Sequence, residues 1–131
     1  MSHVARVDLT IADLDALDLE LTEGFAGQAR LVRDAGEHQY YAGAKTACAH
    51  KIVVEGTRYE LGLVARGDGK GFQVQYDPWD GSADRLFGRG LSKLKDQYGA
   101  RVTERRLTRE GYDVRRSYND AGKLQVGAFA R

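Results

Sequence analysis

Sixteen glycines stand against a single proline in this chain. Glycine reaches the left-handed backbone that tight turns need, whereas proline is the residue that most firmly interrupts a helix or a ladder. A chain with this balance is expected to consist of short strands joined by tight turns. The glycines do punctuate alternating runs. Gly56-Thr57 parts residues 49–55 from 58–66, and Gly67-Asp68-Gly69 parts the latter from 72–76. Asn119-Asp120-Ala121-Gly122 parts 112–118 from 123–129, the last hairpin.

Alternation gives each run a face. Ile52 and Val54 are expected to face Tyr59, Leu61 and Leu63, while Phe72, Val74 and Tyr76 alternate with Gln73 and Gln75. Residues 4–11 and 28–33 read as two further strands. Two stretches change to helical spacing. In residues 11–23, Leu14, Leu17 and Leu21 form one stripe, Asp13, Asp15, Asp18 and Glu20 lie outside it, and Gly24 stops the helix. A second helix starts at Gly81 or Ser82, carries Leu86, Leu91, Leu94 and Tyr98 on its apolar side, and ends at Gly99. Gly88 and Gly90 weaken it, each by roughly 1 kcal/mol relative to alanine. Residues 34–47 read as irregular, and 100–110 fit a helix or a strand. The order β-α-β-β-β-β-α-β-β predicts a single α+β domain over 1–131. Its expected form is one antiparallel sheet of six to seven strands with two main helices on one face.

Charge is uneven. Residues 1–65 carry six basic and ten acidic side chains, residues 66–131 fourteen and nine. Such halves can attract each other within one domain or meet an anionic partner. Arg85, Arg89 and Lys93 recur at four-residue spacing as a basic helix stripe, with Arg101, Arg105 and Arg109 as its continuation. That stripe is the basis of a nucleic-acid-binding alternative. Lys70-Gly71-Phe72-Gln73-Val74 matches an RNA-stacking strand poorly, because Val74 occupies the second aromatic position. No run approaches the ~20 apolar residues of a membrane span, so no membrane partner is expected. The lone Cys48 points to a reducing cytoplasm.

Catalysis lacks parts. His3, His38 and His50 are the only histidines, and no serine or threonine sits in a nucleophile elbow. Cys48 and His50 at a spacing of two would share a metal on a strand, with His3 or His38 completing the set, yet structural zinc sites draw on two such pairs. A small metal-dependent enzyme therefore ranks last, and neither a cofactor nor a metal is expected.

Several segments together carry a likeness. They are Met1-Ser2-His3 before a strand, Ile11-Ala12-Asp13 through Leu17, Tyr41-Ala42-Gly43, residues 49–54 and Tyr59-Glu60-Leu61-Gly62. Gly71-Phe72, Tyr76-Asp77, Trp79, residues 94–98, Glu110-Gly111-Tyr112 and Gly122 complete them. In these the chain resembles the conserved plastid reading frame thirty-five family, a domain of unknown function in chloroplast, cyanobacterial, other bacterial and phage genomes. Val4, where the family usually has an aromatic, the 67–71 loop and Gly88 depart from it. The resemblance implies that residues 100–110 continue the second helix after a break. It also implies an accessory or adaptor role beside an AAA-type ATPase.

The residues thus favour a non-enzymatic protein-interaction or accessory module. Its expected contact face combines Tyr40, Tyr41 and Trp79 with Arg85, Arg89 and Lys93, aromatic anchors with a basic rim.

Overall fold

The computed structural model describes residues 4–131; His3 and the Met1-Ser2-His3 opening lie outside the described residues. Three central strands take their places from alternation. Ile52 and Val54 on β5 (His50–Val54), Leu61 and Leu63 on β6 (Leu61–Ala65), and Val74 and Tyr76 on β7 (Phe72–Tyr76) are all buried in one core. Antiparallel pairing sets Ile52 opposite Leu61 and Leu63 opposite Val74, so the apolar side chains share a face. β1 (Ala5–Ile11) adds beside β7 with a bulge between Val7 and Thr10, and β2 (Ala29–Val32) adds beside β5. The sheet order is β1-β7-β6-β5-β2.

The helices cover that apolar face. α1 (Leu14–Glu23) buries Ala16, Leu17 and Leu21, and Asp13 caps it by accepting the Ala16 N–H. α2 (Ser82–Phe87) contributes Ala83 and Phe87, and α3 (Ser92–Arg109) contributes Leu94 and Tyr98. The Tyr98 hydroxyl accepts the N–H groups of Ala12 and Asp13, both at 3.0 Å, tying α3 to the start of α1. Each fully buried leucine of this layer contributes about 1.5–3 kcal/mol of transfer free energy. Among the described residues no helix is long and apolar enough to cross a membrane.

The chain is α+β with an antiparallel main sheet, as the pattern predicts, but the strands are divided differently. Five strands form the main sheet; β3 (Glu37–Gln39) with β4 (Lys45–Ala47), and β8 (Asp113–Tyr118) with β9 (Leu124–Phe129), form two separate hairpins. The 34–47 segment is therefore ordered. His38 on β3 lies against Gly62 and Gln75, whose positions alternate with the core residues, so this hairpin covers the opposite face of the sheet.

The second helix also differs. It breaks at residues 88–91, where Gly88 (φ 81°) and Gly90 (φ 63°) both take positive φ, and it then runs unbroken through Gly99 to Arg109. A Cβ on Gly88 would stand 2.8 Å from Ser92 Oγ and 2.9 Å from Lys93 N, so the turn requires glycine for space as well as for φ. Residues 100–109 are helical, Glu110 is the cap, and the break precedes them by a full two turns.

The uneven charge is settled in part inside the fold. Glu20, expected outside the apolar stripe, is fully buried. Arg116 of β8 reaches it at 2.6 Å and Arg101 of α3 at 3.0 Å; Arg101 also holds Glu23, Arg105 holds Asp13, and Arg116 also holds Glu104. Burial alone would push the Glu20 carboxyl up, but the hydrogen bonds from Arg116 and Arg101 outweigh it and keep it below its ordinary value. The final hairpin is docked on α3 through this network. Leaving the carboxylate buried without its arginines would cost about 3–5 kcal/mol.

Candidate functional site: an exposed aromatic corner

Two tight loops put two large aromatic rings outside the core. The first closes the β3–β4 hairpin. Tyr40 donates its N–H to the Ala44 carbonyl at 2.8 Å, and residues Tyr41–Gly43 form a 3-10 turn in which Ala42 takes φ 55°. Tyr41 sits at the tip, 42% exposed. The second loop follows β7. Asp77 Oδ1 accepts the Trp79 N–H at 2.9 Å, Pro78 has no N–H to give, and Gly81 closes the turn by donating to the Pro78 carbonyl at 3.0 Å. Asp80 fixes the far side: it accepts the N–H and hydroxyl of Ser82 at 2.9 and 2.7 Å and the Thr57 hydroxyl at 2.7 Å. Trp79 is left 58% exposed. The Tyr41 and Trp79 rings meet edge to face, their centroids 6.1 Å apart and their planes at 85°.

The hairpin under Tyr41 is held by a buried histidine. His38 Nδ1 donates to the Glu60 carbonyl at 3.2 Å, leaving Nε2 to accept from the Gln75 amide at 3.1 Å. Burial is the main cause of a His38 pKa below the ordinary value, against the Glu60 carbonyl that favours the charged ring, so the imidazole is neutral. A Cβ on Gly62 would stand 2.3 Å from His38 Cδ2, so the ring can lie on the sheet only over a glycine.

Of the six expected contact residues, Tyr41 and Trp79 come together. Tyr40 is half-buried, and its ring lies 6.3 Å from that of His38. Arg85, Arg89 and Lys93 are exposed, but they fall on α2, on the 89–91 turn and on α3, so the break at Gly88 removes the single helical stripe. Arg85 donates to the Asp80 carbonyl at 3.3 Å, beside the aromatic loop, whereas the Lys93 ammonium lies over the Phe25 ring at 5.5 Å. The expected continuation is changed too, since Arg101 pairs with Glu20 and Glu23 of α1 and Arg105 with its cap Asp13. Val74 and Tyr76 are in the core, which removes the RNA-stacking strand.

Two residues of this region stand out only in three dimensions. Tyr59, placed by alternation in the core, precedes β6 and is half-buried. Burial, with the charges of Asp77 and Asp80, raises its phenol pKa. Asp77 is 2% exposed, and its Oδ2 has no hydrogen-bond partner among the described residues. The Asp-Pro-Trp sequence signals the turn, but not the burial of its carboxylate.

The remaining chemistry is dispersed. Cys48 is buried and unpaired, its thiol pushed up by burial, while His50 Nδ1 accepts the Asp34 N–H at 2.9 Å. Among the described residues no three His, Cys, Asp or Glu side chains stand close enough to hold a metal ion. A cleft of about 520 Å³ lies beside the corner, lined by Gln28, Glu55, Thr57, Asp80, Ser82 and Arg85, with no histidine or cysteine among its walls. Comparison with family models, curated proteins and solved structures finds no match to this chain.

Proposed function

We propose that this chain is a non-enzymatic interaction or accessory module whose contact face is the corner formed by Tyr41 and Trp79. The supporting observation is that its largest side chain, the single tryptophan, stands 58% exposed against a second exposed ring, on loops whose own hydrogen bonds hold it there. Tryptophan and tyrosine are the residues that most often anchor protein interfaces, because they bury much area while losing little side-chain entropy. Tyr40 and Arg85 border the corner, whereas Arg89 and Lys93 lie beyond the break at Gly88. A reducing cytoplasmic address suits the unpaired Cys48. The family resemblance makes an AAA-type ATPase the first partner to test.

Photo-crosslinking in the native cell tests this reading. A benzophenone side chain at position 41 should yield a discrete protein adduct, and Trp79→Ala should abolish it. A benzophenone at Tyr118, an exposed aromatic on the far hairpin, should not yield that adduct. Adducts that survive Trp79→Ala, or that form equally from position 118, would refute the corner as the contact face. The nucleic-acid alternative draws support from the exposure of Arg85, Arg89 and Lys93, which form no ion pair among the described residues. It requires oligonucleotide binding at ~50 mM salt with a steep salt slope.

A further inference from the structure

Resting on that reading of the corner as a contact face, we propose that it receives a cationic side chain, a lysine ammonium or an arginine guanidinium, presented by a protein partner. The rings supply the walls. Two aromatic planes at 85° with centroids 6.1 Å apart make a right-angled recess, and each ring face carries the negative side of its quadrupole. An aliphatic side chain would gain only area from such walls, whereas a cation also gains the attraction of the faces.

The second observation is the carboxylate at the base of the Trp79 loop. Asp77 is almost wholly buried, spends Oδ1 on the Trp79 N–H, and offers Oδ2 to no donor among the described residues. It forms no ion pair with any described cation. A buried carboxylate without a counter-ion is an expensive feature, and most buried polar groups are satisfied. Its Oδ1 stands 2.9 Å from the Trp79 backbone nitrogen, so the charge lies at the foot of the loop that carries the indole. Asp80 stands in the same loop and accepts only from neutral side chains, Thr57 and Ser82. Arg85 of α2 donates to the Asp80 carbonyl and its charge also acts on the Asp80 carboxylate, so Asp77 is the one of the two left without a cation among the described residues.

No cation among the described residues lies over either ring of the recess. Among the described residues the cation–ring contacts are Lys93 over Phe25 and Arg115 over Phe129, and neither involves Tyr41 or Trp79. The Asp77 carboxylate opposes a phosphate or an acidic side chain there. Charge complementarity therefore selects a basic occupant.

The single tryptophan makes the test local. The full chain is titrated at constant ionic strength with a capped Gly-Lys-Gly peptide, with its norleucine counterpart and with tetramethylammonium, reading Trp79 emission and its indole N–H resonance. The lysine peptide and tetramethylammonium should shift both signals saturably, and norleucine should not. Asp77→Asn, which keeps the Trp79 cap, should weaken lysine binding about tenfold. Tyr41→Leu, an exposed change that keeps apolar area, should weaken it about threefold even if Asp77→Asn fails to fold. Equal binding of norleucine and lysine, or no response to any probe, would overturn the cation inference. In either case crosslinks from position 41 that depend on Trp79 would leave the contact face standing, and their absence would remove that as well.

Discussion

Two edge-to-face aromatic pairs occur in this molecule with nearly the same geometry and opposite surroundings. Phe25 and Phe87 meet at 4.9 Å and 77° inside the core, 3% and 0% exposed. Tyr41 and Trp79 meet at 6.1 Å and 85° on the surface. The inner pair is held by removal from water, since it lies among Leu17, Leu21, Leu91 and Leu94 in one apolar cluster. The outer pair is held by its backbone: an Asp77 cap, an Asp80 clasp and a hairpin anchored through His38. Stability is thus vested in the first pair. The second is kept in place by hydrogen bonds that leave its area unburied, an arrangement suited to a surface that is covered only in a complex.

The largest expected effect sharpens this contrast from the inside. Phe87→Ala should lower stability by about 3–5 kcal/mol in chemical denaturation, the usual cost of emptying a buried phenylalanine site. A smaller loss would mean that the inner pair is not what holds the fold. Next, Gly62→Ala forces His38 off the sheet and should cost about 1–3 kcal/mol, as overpacking does. Its effect should concentrate at the outer pair, with hydrogen exchange accelerated in 37–47 and little changed in α1.

Acid should act on the outer pair in the same way. His38 has a folded-state pKa below its ordinary value of 6.5, so the unfolded or opened hairpin binds the proton more readily. The contribution of neutral His38 is complete above that ordinary value and is lost as pH falls from it toward the folded-state value. Glu60 and Lys51 are the charged groups that face the ring, and Trp79 emission should change with His38 protonation and become flat in His38→Asn. The smallest effect completes the comparison. Trp79→Ala should change stability by no more than about 0.5 kcal/mol, as surface substitutions do. A loss approaching that of Phe87→Ala would erase the distinction between the pairs.

Much of the inner architecture is legible in the residues. Ile52, Val54, Leu61, Leu63, Val74 and Tyr76 announce a shared face by alternation, and Leu17 and Leu21 announce the helix that covers it. What escapes is set by contacts distant in sequence. Glu20 lies within a turn of Leu17, but only the arrival of Arg101 and Arg116 makes its burial tolerable. The β3–β4 hairpin has strands of three residues, too short to show a period, and its position depends on His38 meeting Gly62. Gly88 and Gly90 are visible as weak points in a helix, yet their combined backbone angles turn the chain and scatter Arg85, Arg89 and Lys93 over three segments. For the corner, composition and turn chemistry single out Tyr41 and Trp79 separately. Their meeting joins the tip of one loop to another across 38 residues, which no local pattern records.

The most direct measurement is acrylamide quenching of Trp79 emission, in the free chain and in the complex isolated through the position-41 crosslink. Quenching should be efficient in the free protein and strongly reduced in the complex, because a contact face is open before binding and covered after it. A tryptophan already shielded in the free chain, or one equally accessible in the complex, would contradict the account.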